Sequence, residues 1–340
     1  MAMKKLLGLL IGVLFCWSVS ATNVELNPSH PDRYIVVKGD TLWDISARFL
    51  KTPWRWPDIW QANEQIENPH LIYPGDIIEL SFVDGQPRLS IKRGNGQLSP
   101  AIRRSSLDNA IPAIPIDAIA AFINNPRVMT QDEYDAAPYV VAFDDAHILG
   151  SASYKAYIRG LDEGAAEGYS IVRQGEEYKD GKTGESLGFE SIYIAESAVE
   201  AVAQTSTVML SKTSREVRKG DRLLPAVEGR ILQNYYPHVP DTDIRGRIIG
   251  VIDGVSQVAQ YDVVVIDRGL QDGVEEGHVL QIDQAGETVR DVIAGGGSTV
   301  TLPDEKAGLL IVFRVFDRVS YGLVMESKRV MHRLDAVHTP

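Results

Sequence analysis

Between Tyr34 and Phe82 the apolar positions change period twice. Tyr34–Val37 reads as a short strand, and Lys38-Gly39-Asp40-Thr41 interrupts it with turn-forming residues. Leu42, Ile45 and Phe49 follow at helical spacing, which predicts a helix over Leu42–Leu50, and Thr41 with Asp44 fits a T-x-x-D capping box. The stretch "KTPWRWP" predicts a turn, Asp58–Asn63 a second helix and Asp76–Phe82 a second strand. Outside the first 21 residues, every tryptophan (Trp43, Trp54, Trp56, Trp60) falls in this βααβ unit. A module below about 70 residues needs such large side chains to build a core. The same rings could also form a platform for a sugar.

The pattern changes after this unit. Residues 83–137 read as a connector, broken by prolines in "IPAIPIDAIAAFI". Pro115-Ile116 can open a short helix to Phe122, and Thr130 with Glu133 fits a capping box for another. Residues 138–226 and 248–340 read as β, in short strands rich in Val, Ile and Tyr divided by Gly and Asp-Gly turns, with residues 227–247 as a linker. The two β regions share an internal echo. "RGLDEGAAEGYSI" from Arg159 and "RGLQDGVEEGHVL" from Arg268 match without a gap at Arg, Gly, Leu, Gly, Glu and Gly. Their ends rhyme as well, "VMLSK" then "GDRLLP" in the first and "VMESK" then "LDAVHTP" in the second. Gly164, Gly168, Gly273 and Gly277 fit turns that need a positive φ. The expected fold class is α+β multidomain: a small βααβ module at 34–82, the connector, and two mostly-β repeat domains.

Residues 1–21 stand apart. Lys4 and Lys5 precede an apolar run from Leu6 to Trp17, and Val19-Ser20-Ala21 fits a cleavage site, which is the pattern of an export signal. Cys16, in this segment, is the single cysteine of the 340 residues. With the signal removed the chain has no thiol for a disulfide, a nucleophile or a metal. An exported, periplasmic protein is expected. The formal charge of −12 offers no basic footprint for nucleic acid.

Candidate chemistry is sparse. The chain lacks H-E-x-x-H, G-x-S-x-G and a Gly-rich phosphate loop. The seven histidines are scattered, and Asp144, Asp145 and His147 in "FDDAHI" read as an acidic turn before they read as metal ligands. The carboxylates of "GDRLLP" and "DRGLQDG" sit in turn contexts. No catalytic residue, metal site or cofactor is expected.

The motif "YIVVKGDTLWDISARF…IWQAN…NPHLIYPGDIIEL" resembles the LysM module, at Tyr34, Val36, Gly39, Asp40, Thr41, Leu42, Trp43, Ile45, Asn63, Leu71, Ile72, Tyr73, Pro74 and Gly75. It departs from the common pattern in the longer, Trp-rich "LKTPWRWPDIW" between the helices. The resemblance implies a βααβ fold that binds polymers of N-acetylglucosamine, including peptidoglycan. The implied groove lies between two loops: Gly39, Asp40, Thr41 and Leu42 in the first; Asn68, His70, Leu71, Ile72, Tyr73 and Pro74 in the second. Bare backbone in Gly- and Pro-rich loops suits N-acetyl groups, and Leu42 or Ile72 would meet the acetyl methyl. The whole chain also resembles the type IV pilus secretin-associated proteins, and residues 248–330 resemble the C-terminal domain of a flagellar outer-membrane-ring protein. This implies a non-catalytic brace between the cell wall and an outer-membrane secretin, with a ring-like assembly around that channel among the implied arrangements. The alternatives are a LysM-targeted peptidoglycan hydrolase or hydrolase activator, and a flagellar or general envelope component.

Overall fold

The structure, a computed structural model, describes residues 24–60, 72–83, 85–92, 110–119, 127–162, 164, 166–226, 235–252, 257–294 and 297–340. The expected export signal lies outside these residues.

The N-terminal unit is a small sheet covered by helices. Strand β1 (Arg33–Ile35) pairs antiparallel with β2 (Ile77–Val83), with Tyr34 opposite Ile78. Helix α1 (Leu42–Phe49) starts at Thr41, whose hydroxyl accepts the Asp44 amide at 3.1 Å and donates to the Asp44 carboxylate at 2.7 Å. The Asp44 side chain thus returns to the Thr41 hydroxyl, not to its backbone as in a full capping box. The stretch expected as a turn is largely helical: a 3-10 turn at Pro53–Arg55 runs into α2 (Trp56–Ile59). Proline is tolerated in a first turn, where its missing N–H has no acceptor to lose. The expected connector also opens on a strand. β3 (Gln86–Lys92) pairs with β2 from Val83–Gln86 to Ile77–Lys92 and buries Leu89. Leu42, Ile45, Phe49, Trp56, Ile72, Ile78 and Leu89 share one core.

Residues 116–119 are helical directly after Pro115. Further on, β4 (Arg127–Met129) leads to α3 (Gln131–Ala136), where Thr130 and Glu133 form both bonds of a capping box. Six strands follow: β5 (Tyr139–Phe143), β6 (Lys155–Arg159), β7 (Gly168–Lys179), β8 (Ser186–Ala201), β9 (Ser206–Ser211) and β10 (Arg222–Pro225). They pair in the cycle β5-β6-β9-β8-β7-β10 and back to β5, with β4 added on β8. Val140, Ile158, Ile171, Ile194, Val208 and Leu223 fill the interior.

The C-terminal region holds β11 (Arg245–Val251), β12 (Gln257–Val258), β13 (Val263–Ile266), β14 (Val279–Gln284), β15 (Thr288–Arg290), β16 (Thr299–Thr301), β17 (Glu305–Val315), β18 (Ser320–Ser327), β19 (Met331–His332) and β20 (Ala336–His338). Six of them close a barrel in the order β11-β13-β18-β17-β14-β20. This is the first cycle again, with β11 in the place of β5, β13 of β6, β18 of β9, β17 of β8, β14 of β7 and β20 of β10. The sequence echo therefore spans equivalent strand connections, Arg159 to Ile171 in one region and Arg268 to Leu280 in the other. Gly164, Gly273 and Gly277 have positive φ; Gly168 does not, because it already begins β7.

The strands of the C-terminal barrel are apolar on both faces. Along β13, Val264 and Ile266 enter the barrel interior, while Val263 and Val265 join a second cluster outside it. Leu310 and Val312 of β17 point in, and Leu309, Ile311 and Phe313 point out. The outer cluster is covered from two directions. Trp43 and Trp54, stacked with centroids 6.4 Å apart, reach it from the N-terminal unit with Ile114, and Tyr178 and Leu187 reach it from the β7–β8 hairpin. A polar contact accompanies the first, Tyr261 donating to Asp44 at 3.1 Å. The second continues as a charged seam, in which the Asp267 carboxylate accepts the amides of Gly181 and Arg247 and Arg318 pairs with Glu185. Continuous apolar runs such as "VVVI" follow from this two-sided burial.

Candidate glycan-binding groove

The first loop of the implied groove is built by its own turn chemistry. Gly39 is exposed at φ +98°, a conformation that side chains rarely adopt. Asp40 is half-buried, and its carboxylate accepts the Tyr34 hydroxyl at 3.0 Å and the Val37 amide at 2.9 Å. Thr41 and Leu42 are buried in the helix start. The second loop is tied to the first: Val36 donates to Asp76 at 2.9 Å, and Gly75 donates back to Val36 at 2.8 Å. Asp76 also receives the Tyr73 amide at 3.0 Å. Ile72 is fully buried, whereas Tyr73 and Pro74 are half-buried. Asn68, His70 and Leu71 lie outside the described residues.

The side chains expected to meet an acetyl methyl, Leu42 and Ile72, thus face the core. What the loops offer is backbone. Leu42 and Trp43 occupy the first turn of α1, where amides have no acceptor within the helix. Both are taken, by the carbonyls of Pro112 (3.0 Å) and Ala113 (3.1 Å), while the Ile111 amide donates to the Ile72 carbonyl at 2.8 Å. Sequence reasoning placed Ile111, Pro112 and Ala113 in the connector and gave them no role. Their apolar character was the available signal, for Ile111 and Ala113 complete the core beside Leu42 and Ile72.

Comparison with known proteins bears on the domain that contains these loops. The domain model for LysM matches residues 34–81. Residues 34–81 are a LysM domain. A LysM domain implies peptidoglycan binding and suggests association with the cell wall. Over 62 residues the chain is also 36% identical to the uncharacterized protein YqbP of Bacillus subtilis (strain 168), a match covering 15% of this chain and 28% of YqbP. The chain thus spans under a third of that relative. Among the described residues no helix is long and apolar enough to cross a membrane.

Two clusters of titratable groups stand out among the described residues outside the LysM domain. Asp144–Ala146 form a 3-10 turn, and His147 Nδ1 lies 2.7 Å from the Asp144 carbonyl. His238, Glu275 and His278, which sequence reading did not single out, bring potential ligand atoms within 4.8 Å of one another. The His278 Nδ1 accepts the Glu275 amide at 3.1 Å, so in this arrangement the neutral ring carries its proton on Nε2. Burial, and then the neighbouring His238, push the His278 pKa below its ordinary 6.5. Folding therefore favours the neutral ring, and the stability this contributes is present above about pH 6.5 and lost as the pH falls toward the folded value. The urea midpoint of the C-terminal barrel is expected to drop between about pH 7.5 and about pH 5.5, and His278→Asn to flatten that drop. An unchanged slope in His278→Asn would assign the pH dependence to other groups.

Proposed function

We propose that this protein is a non-catalytic, exported scaffold that binds peptidoglycan glycan strands through its LysM domain and braces an outer-membrane secretin of the type IV pilus kind against the cell wall. The observation that carries this reading is the LysM domain itself. Its groove loops carry backbone amides and carbonyls of the kind that N-acetylglucosamine requires, those of Leu42, Trp43 and Ile72 being bonded here to Ile111–Ala113, and glycan recognition of this kind needs no charge. The stack of Trp43 and Trp54 on the C-terminal barrel supports a bracing role, since a pull on the barrel would reach the wall-binding domain through a packed apolar contact. The carboxylates of the two repeat motifs support a non-catalytic reading. Asp221 is engaged by Arg173, and Asp267 by backbone amides. The secretin itself follows from the resemblance of the whole chain, and copies arranged around such a channel would bind the wall with avidity that one weak domain lacks.

The test is sedimentation of the purified chain with purified sacculi. Saturable pelleting that N-acetylglucosamine oligomers compete away is expected, and Tyr73→Ala is expected to weaken it about tenfold, by removing the half-exposed ring of the second loop. Pelleting that these oligomers leave untouched, or no saturable pelleting, contradicts the glycan reading.

A further inference from the structure

The LysM groove of this protein already holds an occupant. Ile111, Pro112 and Ala113 join the two loops by the three backbone hydrogen bonds described above. We propose that the loop pair is an extended-peptide site, held shut by the chain's own Ile111–Ala113 stretch, and that glycan reaches it only by displacing that stretch. The proposal rests on the glycan-binding reading of the LysM domain and adds its regulation.

Chemistry makes the two occupants competitors. An N-acetyl group is an amide, with one carbonyl acceptor, one N–H donor and a methyl. The peptide stretch offers the same three features in a row. The carbonyls of Pro112 and Ala113 take the first-turn amides of Leu42 and Trp43, which an acetamido carbonyl would need. The Ile111 amide takes the Ile72 carbonyl, which an acetamido N–H would need. The Ala113 side chain, a single methyl, is buried against the LysM core where an acetyl methyl would go. Glycan cannot make these bonds while the stretch makes them, because each first-turn amide carries a single hydrogen.

The competition is intramolecular. A tethered segment acts at an effective concentration on the order of millimolar, which a weak single-site glycan ligand must overcome. The stretch is also fastened at its far end: Ile114 belongs to the apolar cluster that Trp43 and Trp54 share with the C-terminal barrel. The latch is therefore anchored to the seam between the wall-binding domain and the barrel, so a change at that seam bears on access to the groove. If the closed form outweighs the open form about tenfold, apparent glycan affinity falls by the same factor.

Two measurements on the full chain decide the matter. The first follows amide hydrogen exchange of Ile111 in the wild-type protein as N-acetylglucosamine oligomers are added to saturation. Exchange at least about tenfold faster is expected, because bound glycan removes the Ile72 acceptor. The second compares oligomer affinity in the wild type and in Ile111→Asp, which expels the stretch by placing a charge in the LysM core; the variant is expected to bind at least about tenfold more tightly. Saturation with Ile111 exchange unchanged overturns the latch and leaves the glycan reading standing. If neither form binds oligomers, the glycan reading fails and the latch falls with it. Should Ile111→Asp fail to fold, the exchange measurement on the wild type still decides.

Discussion

Asp221→Ala is expected to destabilise the β5–β10 sheet by about 3 kcal/mol, read as a lowered urea midpoint at unchanged slope. Asp221 is almost wholly buried at the entrance to β10, the strand that closes the cycle between β7 and β5. Its two oxygens accept from Arg173 Nε and Nη2, both at 2.8 Å, and one of them also accepts the Arg218 amide at 2.7 Å. Removing the carboxylate strands a guanidinium and an amide together. The loss falls at the low end of the range for broken buried pairs, about 3 to 5 kcal/mol, because Arg173 keeps a quarter of its side chain in solvent. Asp221→Asn keeps an acceptor for the amide and is expected to cost about half as much. The repeat supplies an internal control. Asp335 enters β20 as Asp221 enters β10, and it too is buried, but its carboxylate serves the amides of His332 (2.7 Å) and Ala285 (3.2 Å). Asp335→Ala is therefore expected to cost about 1 to 2 kcal/mol. Equal losses at the two positions would show that the Arg173 pair adds nothing beyond capping.

Trp43→Ala is expected to uncouple the LysM domain from the C-terminal barrel. The side chain is 3% exposed and stacks on Trp54 within the cluster shared with Val263, Leu323 and Met325. Truncating so large a buried ring costs about 3 to 5 kcal/mol. Leu42, Ile45 and Phe49 belong to the separate LysM core, so that core survives the change. In calorimetry one transition is expected to divide into two, the LysM domain melting first. Tyr261→Phe removes only the exposed bond to Asp44 and is expected to change stability by less than about 1 kcal/mol, with no division. A single unshifted transition in Trp43→Ala would mean that the contact does not hold the two units together.

The sequence carried the local structure further than the assembly. Helix α1 was legible because Thr41, Leu42, Ile45 and Phe49 combine a cap with one apolar face, and the duplication of a β domain was legible because its connections repeat the same glycines, whereas the order in which the strands pair was not. β3 was missed although its signal was present: Pro87, Leu89 and Ile91 alternate after Asp84-Gly85, a strong hairpin pair. Pro87 lies near the start of an edge strand, where proline is tolerated. The tryptophans were readable as core, but not as two cores. Trp56 fills the LysM interior and Trp43 the seam with the barrel, and local spacing does not distinguish them. The Ile111–Ala113 stretch was illegible for a related reason. Its bonds to Leu42, Trp43 and Ile72 span long chain separations and use backbone groups, which every residue type carries.

The central claim is that the Gly39–Leu42 and Ile72–Pro74 loops of the LysM domain hold glycan. Titrating the full chain with N-acetylglucosamine oligomers while following backbone amide resonances tests it most directly. Saturable shifts concentrated at Gly39, Leu42, Trp43 and Tyr73, with the strands of the β5–β10 sheet and of the C-terminal barrel unmoved, are the expected result. Absence of saturable shifts, or shifts confined to the two β regions, would contradict it.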